Sequence, residues 1–227
     1  MKKPITLGIC CLFFISSYAQ KNLKEGFVIL NNNDTLKGFI DYREWYQNPN
    51  SILFSQSKEK SMQRFKVKDI SYFAISGKEI YQRHNVKISM DRQSMDDISE
   101  KDTSSRIDTV FLKVLHADKN ITLFSYADGV KQRLYILPAD ETTPVELKNS
   151  EYMSNGQMKS ENEYRLILLT IWRRYKTHGE DVQTLIFTQN YSQKISVISV
   201  TGSMVLTRLP LSRKRKSSHH ISDFLQG

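Results

Sequence analysis

The residues best placed to do chemistry are few. His84 and His116 each sit in a strand-like segment with no nucleophile motif beside them. Hydrolysis by a serine needs a hydroxyl activated by a histidine that a carboxylate orients. The G-x-S-x-G turn that presents such a serine in one large group of hydrolases does not occur. His219 and His220 are followed by Asp223, a trio that reads as an adventitious metal binder at most and more simply as part of an unfolded end. Asp96, Asp97, Glu100 and Asp102 crowd one polar stretch. Their oxygens suit Ca²⁺, but the glycine and the closing glutamate of a calcium loop are missing, so they read as a solvated acidic loop. No phosphate loop, dinucleotide fingerprint, H-E-x-x-H or C-x-x-C is present. The residues therefore assign no catalytic, cofactor-binding or metal-ligating position and identify no cofactor or small-molecule substrate. A small secreted hydrolase using a His–Asp pair stands as the alternative.

The N-terminus explains the cysteine usage. In MKKPITLGICCLFFISSYAQ, Lys2 and Lys3 precede an apolar run at 5–15, and Ser17 and Ala19 are the small residues of a cut after Ala19. That is the pattern of a secretory signal. The run is shorter than the ~20 residues of a membrane span. A lipoprotein cut before Cys10 is disfavoured by the bulky Ile9. Cys10 and Cys11 are the only cysteines, so the exported chain has neither a disulfide nor a thiol nucleophile.

Lysine and arginine outnumber acids 33 to 24, a net charge of +9. Without 1–19 the excess is +7, and without 206–227 as well it is +3. Most of it therefore sits in the tail, where Arg208, Arg213, Lys214, Arg215 and Lys216 face only Asp223. A basic tail can bind a polyanion or an anionic membrane surface, which is a further alternative, but it reads more simply as a solvated linker. An exported chain seldom meets nucleic acid, and none is expected as partner.

The elements that would position any site start with a hairpin at 26–43, GFVILNNNDTLKGFIDYR. Asn31-Asn32-Asn33-Asp34 is turn material between two apolar runs. Leu36, Gly38, Ile40 and Tyr42 alternate onto one face, and Lys37, Phe39 and Asp41 onto the other. Trp45 is expected to pack over a sheet edge, and Asn48-Pro49-Asn50 to turn. Further strands are predicted at 51–54, at 63–75 with a bend at Asp69, at 79–88, in a hairpin at 110–126, and at 133–137 and 145–147. Residues 89–108 read as a long exposed loop. Residues 150–162 read as a polar linker.

A helix is expected over 163–176, with Tyr164, Leu168, Ile171, Trp172 and Tyr175 on one face. Asp181 can cap a second helix carrying Val182, Leu185 and Ile186. Residues 195–200, ISVISV, fit helix or strand. The fold class is α+β: an antiparallel meander or partly open barrel of about eight strands, followed by a small helical segment. The expected divisions are a signal at 1–19, a β domain at 20–149, a linker and helical segment packing on the sheet at 150–205, and a basic tail at 206–227.

The run GFVILNNNDTLKGFIDYREWYQNPNSILF, with the later strand at 69–75 and the hairpin at 110–126, resembles a known family. It is similar to the exported N-terminal domain that precedes the barrel in Bacteroidota-type outer-membrane β-barrel (porin-like) proteins. The likeness covers residues 1–200 and rests on strand-and-turn motifs. It implies a non-catalytic module, periplasmic or outer-membrane-associated, whose partner is another envelope protein or the outer membrane itself. Relatives often carry two cysteines in their closing helices, which this chain lacks. They also continue through a linker into a transmembrane barrel. Here no ladder of ten-residue alternating strands follows, so the expectation is a free-standing relative, or one shortened by truncation or a frameshift.

Overall fold

The computed structural model describes residues 22–91 and 101–175. The signal, the residues Asp96, Asp97 and Glu100, the Trp172 side chain, the helix from Asp181, the stretch 195–200, and the tail with His219, His220 and Asp223 lie outside it. Within it the chain is mostly antiparallel sheet with one short helix, broadly α+β.

The opening hairpin forms from β1 (Leu23–Leu30) and β2 (Thr35–Asp41), with Phe27 opposite Lys37 and Gly26 opposite Gly38. Asn33 closes the turn at φ 68°, a conformation asparagine tolerates. Val28, Ile40 and Tyr42 are buried, as the alternation requires. Next come β3 (Ser51–Ser55), β4 (Gln63–Lys66), β5 (Ile70–Ile75) and β6 (Glu79–Ser89). They are followed by β7 (Ser105–Ala117), β8 (Ile121–Ala127), β9 (Gln132–Pro138) and β10 (Val145–Glu146). All ten lie in one sheet, ordered β10-β9-β8-β7-β6-β5-β1-β2-β3-β4. The count exceeds the expected eight, and the meander is broken once, because β5 pairs with β1 and not with β4.

That break curls the sheet. Asp69 does more than bend one strand: its carboxylate accepts the Lys66 N–H at 2.8 Å and its own N–H donates to Lys66 O at 2.9 Å. The three residues between β4 and β5 reach at most roughly 14 Å. Four strand spacings across a flat sheet would need about 19 Å. Strands β1–β5 therefore wrap around a core of Val28, Ile40, Ile52, Phe54, Phe73 and Tyr81. Gly26 permits the closeness, since a Cβ there would lie 2.3 Å from Ala74 O.

Strands β6–β10 curl the other way. Val86, Ile88, Val110, Leu112, Phe124 and Tyr135 fill their inner face, whereas Tyr81 and Phe111, on the opposite face of β6 and β7, belong to the first core. Three spacings, about 14 Å when flat, separate β9 from β6, yet Tyr135 OH donates to Lys87 O at 3.2 Å. The ladder does not close this half; side chains do. Helix α1 (Glu163–Tyr175) covers the outer face of β8 and β9, with Tyr164 and Ile171 against Ile121, Leu123, Leu134 and Ile136. Arg174 and Tyr175 bind Asp140, pinning the end of α1 to the turn after β9.

Two further expectations are corrected. Residues 105–108, read as loop, belong to β7 and pair with 86–89, because the partner strand overrides their polarity. Residues 150–162, read as linker, carry a hairpin of β11 (Ser150–Ser154) and β12 (Gln157–Glu161). Its turn is Asn155-Gly156, at φ 52° and 73°, the two-residue turn whose twist matches paired strands.

Candidate functional site

Charged groups converge at one mouth of the second half, where β6 ends, β7 starts and β8 turns into β9. Asp128 organises the turn: its Oδ1 accepts the N–H groups of Val130 at 2.9 Å and Lys131 at 3.2 Å. The same oxygen accepts from Arg133 Nη1 at 3.0 Å. Burial opposes ionisation of Asp128, but the Arg133 hydrogen bond and the two amides outweigh it and hold its carboxyl below the usual range.

Arg133 is 1% exposed. Its Nε donates to Ser89 O at 2.8 Å and its Nη1 also to Lys131 O at 2.9 Å, while Nη2 has no acceptor among the described residues. The Tyr126 ring lies 5.9 Å from its guanidinium carbon. Lys131 Nζ stands 2.8 Å from Asp91 Oδ1, both side chains 8% exposed. This is an ion-pair contact whose angle is not that of a hydrogen bond. Glu146 of β10 reaches across to β6, where Oε2 accepts the Ser89 N–H at 3.0 Å and Oε1 the Ser89 hydroxyl. On the rim Arg106 pairs with Asp108 and lies 3.6 Å from Asp128 Oδ2.

Each carboxylate here already holds a cation, a hydroxyl or a main-chain amide. The arrangement is a brace: it joins the end of β6 to β9 and β10, from which the ladder leaves it apart.

The residues singled out from the sequence are scattered elsewhere. His84 lies inside the second half, its ring edge-on to Phe124 at 5.0 Å and its Nε2 3.3 Å from Gln82 Oε1. Desolvation lowers its pKa below the usual value. His116 Nε2 is 3.2 Å from Asp118 Oδ2, but Oδ1 of that carboxylate accepts the N–H groups of Asn120 and Ile121 and shapes the β7–β8 turn. Neither histidine bonds a serine hydroxyl among the described residues. Asp102 accepts the Ser104 N–H at 2.8 Å. Among the described residues no three His, Cys, Asp or Glu side chains are grouped to hold a metal ion. Trp45 packs edge-on against Tyr42, Phe73 and Tyr81. Sequence reading missed Arg133, although an arginine directly before the apolar run LYILP of its strand is the signal that a buried charge leaves.

No protein-family model, no curated protein and no solved structure matches the chain. No helix among the described residues is long and apolar enough to cross a membrane.

Proposed function

We propose that this chain is a non-catalytic cell-envelope domain, periplasmic or outer-membrane-associated, that works by binding another envelope component. The observation that carries the non-catalytic part is the mouth just described, whose charges are engaged with one another. A catalytic acid, base or nucleophile must face substrate and be tuned for it. Export rests on the signal pattern at 1–19, and the envelope assignment on the resemblance of 26–54 and the later strands to pre-barrel domains. In this reading the protein is a counterpart of such a domain, its curled sheet a rigid platform.

The test is expression of the full chain in a Bacteroidota-type host, followed by fractionation, N-terminal sequencing and chemical cross-linking. The expected product starts at Gln20, fractionates with periplasm or outer membrane, and cross-links to an envelope protein. A cytoplasmic product that keeps Met1 overturns the reading. Hydrolysis of ester or peptide substrates that is lost in His116→Ala would favour the hydrolase instead.

A further inference from the structure

Strand β6 leaves part of its outer edge unused. Met90 N–H donates to Ser104 O across the β6–β7 pair, so the even residues of β6 bond β7 and the odd residues point to the other edge. At the start of that edge Glu79 and Tyr81 face β5, which pairs with β6 only from Glu79 to Gln82. At its end Lys87 O takes the Tyr135 hydroxyl, Ser89 N–H the Glu146 carboxylate, and Ser89 O the Arg133 guanidinium. Between them Asn85 N–H, Asn85 C=O and Lys87 N–H have no partner among the described residues. Asn85 and Lys87 are exposed, so the gap opens to solvent. From Gln82 to Lys87 it runs about 17 Å, room for one short strand.

We propose that this gap accepts an extended strand of a partner polypeptide, bonded through its backbone to Asn85 and Lys87 and carrying an acidic side chain opposite Lys87. Alternating donors and acceptors on a strand edge are complementary to another strand and to little else. The Lys87 ammonium has no carboxylate partner among the described residues, which sets the charge of the incoming strand. The proposal rests on the interaction reading and supplies its site.

Amide hydrogen exchange on the unbound full chain tests the edge directly. Asn85 and Lys87 are expected to exchange about a hundredfold faster than Val86 and Ile88; equal protection overturns the proposal. A phage-displayed library of random heptapeptides panned on the full chain tests the occupant. Enriched peptides are expected to carry an acid, to slow exchange at Asn85, and to bind Asn85→Ala normally but Asn85→Pro at least about tenfold more weakly. Proline removes the outward N–H without touching a bond to β7; if Asn85→Pro does not fold, Lys87→Pro takes its place. No enrichment, or equal binding to the proline variant, overturns the proposal. An envelope protein that binds wild type and the proline variant alike leaves the interaction reading standing and removes this edge as its site.

Discussion

Asn48 and Ala127, 79 residues apart in the chain, hold each other as two strand residues would. Asn48 N–H donates to Ala127 O at 2.8 Å, and Ala127 N–H donates to Asn48 Oδ1 at 2.9 Å. Asn48 Nδ2 then donates to Phe111 O at 2.7 Å and Ser125 O at 3.1 Å. The β7–β8 ladder ends at Lys113 and Ser125, and the Asn48 amide takes over where the strands part. One side chain thereby ties the β2–β3 connection of the first half to the second.

Replacing that amide removes the side-chain partner of three main-chain groups. Asn48→Ala is expected to cost about 2–4 kcal/mol, read from the urea midpoint. Asn48→Asp keeps the acceptor for Ala127 but turns an oxygen toward two carbonyls, so it is expected to lose at least as much. A loss below about 0.5 kcal/mol in either variant contradicts the bridging role.

Ile40 is fully buried on the inner face of the opening hairpin. Ile40→Asp forces a carboxylate into that core and is expected to destabilise by several kcal/mol, on the order of 3–5. Thermal unfolding checks it; an unchanged midpoint means the face is not a core.

Arg133 joins Ser89, Asp128 and Lys131 out of contact with solvent. Arg133→Ala strands Asp128 and the Ser89 carbonyl and is expected to lose about 3–5 kcal/mol. Arg133→Met keeps the apolar stem and is expected to lose distinctly less. Equal losses measured in urea would assign the effect to the lost guanidinium bonds alone and leave none to packing of the stem.

His84 makes stability depend on pH. Desolvation depresses its folded-state pKa below the ordinary 6.5, so the unfolded chain binds more protons between the two values. Stability is then fully present above about pH 6.5 and falls as the medium is acidified through that window. Wild type is expected to lose stability between pH 7.5 and 5.5, and His84→Gln to lose less. Parallel curves for the two proteins exclude His84 as the cause.

Period and turn chemistry made much of the local structure legible. Alternation at Leu36, Gly38, Ile40 and Tyr42, with an Asn/Asp knot before it, specifies a hairpin wherever the chain goes. Tyr164, Leu168 and Ile171 specify a helix with one buried stripe. Asn155-Gly156 carried its hairpin too, but the polar strands around it hid the pattern, since β11 and β12 are marked by their turn and not by apolar alternation.

What only the tertiary structure decided concerns partners distant in the chain. Nothing local says that β5 leaves β4 for β1. That choice depends on how the first core closes, and with it the sheet curls. Nor does a local window tell that Asn48, in an ordinary-looking turn, finishes the β7–β8 ladder, or that Arg133 is solvated by Ser89 and Asp128 and not by water. Strand pairing between distant segments and the burial of a charge are properties of the assembled chain, because the groups that satisfy them are supplied from far along the sequence.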